Sequence, residues 1–225
     1  MGKREDKKRI KQMRSEIEAE IKERLKGSAW KTKHARPFQS IGDNFYESNL
    51  SCKIRIINDA PSITAFAGFA AKPLAIDPLY WDIAELSENK KEPLSFRAWA
   101  AFKTRPATFH SRTIATDIHQ TDDVITAYLN WLDIECPKIQ SRMEAQKFSE
   151  LYLSLQKNDH PDASYATTLI CAYLTEGQKE KALSIAQSFA PTEFKNLYHG
   201  GNPDHRVNFY ELAILHITGE LPTQT

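Results

Sequence analysis

The chain has only three cysteines, Cys52, Cys136 and Cys171, and no C-x-x-C. The count is odd and each lies among apolar residues. A disulfide framework is therefore excluded as an organising device, and reduced core thiols in a cytoplasmic protein are expected. Glycine is scarce as well, with eight residues. Neither G-x-x-x-x-G-K-[ST] nor G-x-G-x-x-G occurs, which removes the common phosphate-cradling loops. There is no G-x-S-x-G nucleophile elbow. No apolar run approaches the roughly 18–20 residues of a transmembrane helix. The early lysines are not followed by the apolar stretch of a secretory signal.

Histidine is present seven times, yet without H-E-x-x-H, H-x-H or zinc-finger spacing. The densest group is His199-Gly200-Gly201-Asn202-Pro203-Asp204-His205. Two imidazoles and a carboxylate in one loop could hold a metal or activate a water, although Gly-Gly-Asn-Pro is also an ordinary way to join two helices. Glu193-Phe194-Lys195 matches the E-x-K of some nucleases but lacks a preceding strand aspartate. No catalytic residue, cofactor or metal is assigned from sequence.

What is present is enough for a large core. The 225 residues are 41% hydrophobic and 26% charged, and a chain of this size buries about 70% of the surface its unfolded form exposes. Charge is unevenly placed. Residues 1–36 carry 13 Lys/Arg against 6 Asp/Glu, leaving 17 against 23 in the other 189. Such asymmetry points to an arm or a partner surface.

Periodicity divides the chain near residue 120. Ile10, Met13, Ile17, Ile21 and Leu25 recur every three or four residues, predicting a helix over Glu5–Lys26 that ends at Gly27. Its other faces are dense in Lys, Arg and Glu, which suits a solvated helix packed by its stripe, or a helix lying on nucleic acid or a membrane surface. From Tyr46 to Ile57 the period falls to two, predicting a half-buried strand preceded by an extended piece around Trp30–Ser40 and a turn at Gly42-Asp43-Asn44. Asn58-Asp59-Ala60-Pro61 is a second turn, followed by a strand at Ser62–Lys72. Alternation of Leu94, Phe96, Ala98, Ala100 and Phe102 predicts another strand, and Phe109–Ala115 a further one.

Beyond Thr121 helical spacing prevails. One helix is expected from Thr121 to a stop at Pro137, and others near Arg142–Lys157, Ala163–Thr175, Gln178–Ala190 and Val207–Ile217. The pair around Gly177 looks like a single tetratricopeptide-type hairpin, without a second repeat. The expected fold is α+β: an N-terminal helix, an antiparallel meander of four to five strands, then a helical half. Residues 1–120 and 121–225 are expected to pack as one structural unit.

Two stretches combine acids with aromatics. Asp77, Tyr80, Trp81, Asp82 and Glu85 fall in "IDPLYWDIAELSEN". Asp117, Asp133 and Glu135 fall in a stretch, Thr113–Pro137, that has no Lys or Arg. Aromatics anchor interfaces and charge steers association, so these eight residues are the expected partner-binding set. The segments "FQSIGDNFYESN", "KPLAIDPLYWDI" and "FRAWAAF" resemble uncharacterised bacterial α+β proteins of the polymorphic-toxin immunity type over about residues 28–135. That resemblance implies a cytosolic binder whose acidic face neutralises a basic toxin domain, with no membrane partner. Alternatives are a metal-dependent hydrolase or nuclease using the His199–His205 loop, and nucleic-acid binding through the basic N-terminal helix.

Overall fold

A computed structural model describes residues 3–33, 36–99, 103–155, 163–190 and 208–220. The fold is α+β, with an N-terminal helix, a five-stranded antiparallel sheet and helices in the C-terminal half. Among the described residues, no helix is long and apolar enough to cross a membrane. The chain forms two compact units. The first comprises Met1–Ala71 with Thr108–Ala145, and the second Lys72–Ala107 with Gln146–Thr225.

The first unit is built on the sheet. Strands β1 (Lys31–Lys33), β2 (Arg36–Ile41), β3 (Asn44–Ile57), β4 (Ala60–Pro73) and β5 (Ala107–Ile118) lie side by side in sequence order. The Gly42-Asp43 loop pairs Ile41 with Asn44 and Phe38 with Glu47. The next turn is a two-residue one in which Asn58 and Asp59 both take positive φ, 49° and 62°. This is the conformation that matches the right-handed twist of a hairpin, and Asn and Asp tolerate it better than other side chains do.

That turn puts Asn49 opposite Gly68. A Cβ built on Gly68 would stand 2.2 Å from Asn49 Oδ1. The obstacle is only the end of a surface side chain, and glycine inside a strand costs about 0.5–1 kcal/mol relative to alanine. Gly68→Ala is therefore expected to leave stability unchanged or raise it by up to about 1 kcal/mol, as a urea midpoint would show.

Two helices cover one face of this sheet. Helix α1 (Lys3–Arg24) buries Met13, Ile17 and Ile21, and Leu25 beyond it completes the expected stripe. Helix α4 runs from Thr121 to Ala145 and does not stop at Pro137. Its buried face continues through the proline as Val124, Ile125, Tyr128, Trp131, Leu132, Cys136, Ile139 and Met143. Burial of Ile139 and Met143 outweighs the one backbone hydrogen bond that proline removes. The core includes Phe69, edge-on to both Tyr46 and Trp131 at 6.4 and 6.1 Å. One buried polar chain runs through this core: Tyr128 Oη donates to Ser48 Oγ at 2.8 Å, and Ser48 Oγ donates to the Gly68 carbonyl at 2.8 Å.

The second unit is helical. It contains α2 (Ile76–Ile83), a 3₁₀ turn at Ser87–Lys91, α3 (Phe96–Trp99), α5 (Phe148–Ser154), α6 (Ala163–Thr175), α7 (Lys179–Phe189) and α8 (Phe209–Thr218). The run expected as a strand over 94–102 is a helical turn where it is described, closed by Phe96 N–H to Pro93 O and Arg97 N–H to Leu94 O at 2.8 and 3.1 Å. A strand would send Phe96 and Arg97 to opposite faces. Here both reach Trp81, Phe96 at 5.9 Å between ring centroids and the Arg97 guanidinium at 5.3 Å. Ala100 and Phe102 lie outside the described residues.

Glu176 accepts from Ser149 N–H and Ser149 Oγ, satisfying donors at the start of α5. Gly177, at φ +74°, turns the chain from α6 into α7. A capping box formed by Asn208 and Glu211 opens α8.

Candidate functional site

The first acidic–aromatic stretch forms α2. Its buried residues are Ile76, Asp77, Tyr80, Trp81 and Ile83, which share one side of the helix. Tyr80 and Trp81 are 3% and 1% exposed and serve the core of the second unit, Tyr80 packing on Phe209 at 5.3 Å. They are anchors inside the unit and do not present a surface.

Asp77 is also inside. Lys72 Nζ donates to its Oδ1 at 2.8 Å, with Oδ2 2.7 Å away, and both side chains are fully buried. Thr104 donates its N–H at 2.9 Å and its hydroxyl at 2.6 Å to Asp77 Oδ1, while its carbonyl accepts from Lys72 Nζ at 3.0 Å. Arg97 Nη1 lies 3.4 Å from Asp77 Oδ2. Burial alone would raise the Asp77 pKa, but the Lys72 ammonium and the Thr104 donors outweigh it and hold the carboxyl below its ordinary value. Buried charges persist only when paired and hydrogen-bonded in this way.

Asp82 is partly exposed and engaged by Ser87 Oγ and Lys90 Nζ. Burial opposes its ionisation, yet these two donors lower its pKa overall. Of the α2 group, Glu85 is exposed and forms no ion pair among the described residues, and it sits at φ +58° just past the helix.

The second stretch divides similarly. Glu135 is 3% exposed and lies among an imidazole and two cationic side chains. His110 Nε2 is 2.9 Å from Oε2, and Arg112 Nη2 and Lys138 Nζ are 3.2 and 3.1 Å from Oε1. Desolvation raises the Glu135 pKa, but Lys138, His110 and Arg112 together bring it below the ordinary glutamate range. Asp133 is exposed on α4. Asp117, exposed and at φ +53°, accepts from Ser62 Oγ at 3.1 Å near the end of β5. Asp122, outside the expected set, is bound by Arg24. The eight residues do not assemble into one acidic patch: four are buried, one is paired, and Glu85, Asp117 and Asp133 remain exposed.

Reactive chemistry finds little support among the described side chains. All three cysteines are free thiols. Burial pushes the Cys52 thiol up to about 11 and also raises Cys136 and Cys171, so the nucleophilic thiolate is disfavoured at each. Among the described residues, no group of three His, Cys, Asp or Glu could hold a metal ion. The His199–His205 loop and Glu193-Phe194-Lys195 lie outside the described residues. A shallow groove of about 510 Å³ is lined by residues including Arg9, Glu16 and His119. Its polar groups already serve the fold, since Arg9 Nη1 donates to Asp59 O and His119 Nδ1 lies 2.6 Å from Pro61 O.

The surface that sequence reasoning missed is on the sheet. Asn49, Ser51, Lys53, Arg55 and Ile57 form the exposed phase of β3. On β4, Ile63, Ala65, Ala67, Phe69 and Ala71 are buried, whereas Phe66, out of phase, is 39% exposed. By the hairpin register Phe66 lies across from Ser51 and beside Lys53. A large aromatic on the polar phase of an alternating strand was the available signal.

The sheet's two edges also differ. β1 spans three residues and carries exposed Lys31 and Lys33, a common way to blunt an edge. β5 spans twelve residues. Among the described residues, no hydrogen bond outside the sheet engages its backbone. A long edge of this kind is a template for another strand.

Compared with protein-family models, with curated proteins and with solved structures, the chain matches none.

Proposed function

We propose that the chain is a protein-binding module that receives an extended segment of its partner along the open edge of β5. The observation that carries this is the contrast between a twelve-residue edge with no further backbone hydrogen bonds among the described residues and a three-residue edge flanked by lysines. Main-chain pairing would supply affinity and alternate side chains specificity. The closed Lys72–Asp77 pair and the protonated thiols support binding over chemistry. Three free thiols suit a reducing, cytoplasmic compartment. Neutralising a toxin domain, as the resemblance to bacterial immunity proteins implies, is one form such binding would take. For a basic toxin the support reduces to Glu85, Asp117 and Asp133.

The test uses proline. Of two consecutive residues in an edge strand, one turns its N–H toward the neighbouring strand and the other turns it outward. Proline at the outward position spares the sheet but blocks an added strand. Random twelve-residue segments would be selected by display on the full chain, and binders re-measured against Thr113→Pro and Ile114→Pro. Whichever variant keeps the native circular dichroism spectrum is expected to lose binding at least tenfold. Undiminished binding to that folded variant would remove β5 as the site.

A further inference from the structure

We infer that the segment received by β5 is acidic, so the interface has the opposite sign to the one the sequence suggests. This inference rests on the binding reading above and concerns the chemistry of the partner. Its first ground is the cluster at the strand. His110 and Arg112 share one face of β5 by parity, and Lys138 approaches from α4. All three surround Glu135, whose side chain is 4% exposed, whereas Arg112 and Lys138 are 54% and 61% exposed. The anion is therefore inside and the cations outside. With His110 counted as neutral, the group still carries one positive charge in excess. Arg142, over the Phe109 ring at 5.1 Å, extends the cationic surface along α4.

The second ground is the sheet face. The exposed phase of β3 from Asn49 to Ile57 holds Lys53 and Arg55 and no carboxylate. Ile57 and Phe66, 52% and 39% exposed, add apolar contact on the same surface. The third ground is the use already made of the acids. Glu135 neutralises its own neighbours and Asp122 holds Arg24, while Asp117 and Asp133 remain as the exposed carboxylates of the expected set in this unit. A partner strand with period two would set every second side chain over Arg112 and Lys138, so carboxylates at positions i and i+2 are the fitting pattern. Such charges steer encounter and are screened by salt.

The display selection described above supplies the probe. Selected segments are expected to be net negative, with Asp or Glu at i and i+2, and to bind at least tenfold more weakly in 0.5 M sodium chloride. Two variants test the cations without stranding a buried charge. Arg112→Gln/Lys138→Gln is combined with Glu135→Gln, and Lys53→Glu/Arg55→Glu changes only exposed positions. The first is expected to weaken the selected acidic segment about tenfold, and the second, on a strand that β4 separates from β5, to weaken it less. Neutral or basic segments, or affinity untouched by both variants, would overturn the acidic assignment while the proline variants still report the edge. Binders insensitive to proline would remove the edge itself. Tighter binding of a fifteen-residue oligouridylate, lost in Lys53→Glu/Arg55→Glu, would identify nucleic acid as the ligand instead. A dimer in sedimentation, dissociated by the tolerated proline, would identify a second copy of this chain.

Discussion

Lys72→Met should lower the stability of this protein by about 3–5 kcal/mol, because it leaves the Asp77 carboxylate buried without its ammonium. Both side chains are fully buried, and neither can turn to water without opening the second unit. Replacing both partners, as Lys72→Met with Asp77→Leu, should recover part of that loss, since the two buried charges leave together while Arg97 and the Thr104 donors lose a partner. Urea titrations followed by circular dichroism would separate the two outcomes. A single variant as stable as the wild type would show that the pair contributes nothing.

The same pair sets a pH dependence. Asp77 has a folded pKa below its ordinary 3.8. Its contribution is therefore complete above that value and declines as pH falls through the lower folded one. Glu135 behaves alike below its ordinary 4.5. Acid unfolding of the wild type should steepen below about pH 4, and Asp77→Asn should flatten that limb while lowering stability at neutral pH.

The second large effect concerns Trp81. If it serves the core, Trp81→Ala should cost about 3–5 kcal/mol through lost burial and an unfilled cavity. Its 1% exposure and its contacts with Phe96 and Arg97 place it there. An interface tryptophan would instead leave stability within about 0.5 kcal/mol of wild type on truncation. A urea midpoint measured on the free chain distinguishes these without any partner.

Period and turn chemistry made most of the elements legible. The stripe of Met13, Ile17, Ile21 and Leu25, the alternation from Tyr46 to Ile57, and the two hairpin turns all recur in the structure because each is local. Pro137 and the run from Leu94 misled for a common reason: tertiary burial overrode the local rule. Ile139 and Met143 gain enough from the core to carry α4 past its proline, and Phe96 and Arg97 both turn toward Trp81.

The site was less legible. A carboxylate beside a tryptophan looks the same in sequence whether it faces solvent or a lysine five residues away. Lys72 and Asp77 are separated by a strand end and the start of a helix, and only folding shows that they meet. Glu135 likewise draws Arg112 across 23 positions. That β5 ends the sheet depends on strand order, which no single stretch encodes.

The two units are not consecutive along the chain, and synthesis on the ribosome must contend with this. The first unit is interrupted by residues 72–107 and completed only by Thr108–Ala145. β1 through β4 emerge long before β5 and α4, so the sheet waits with an unpaired β4 and an apolar face that α1 alone covers. Bridging such an excursion adds little closure entropy, because that cost grows only with the logarithm of loop length. The delay weighs more heavily, since an exposed strand edge on a nascent chain is open to wrong pairing. The second unit needs residues from Gln146 onward, so neither unit can finish from the first half of the chain alone.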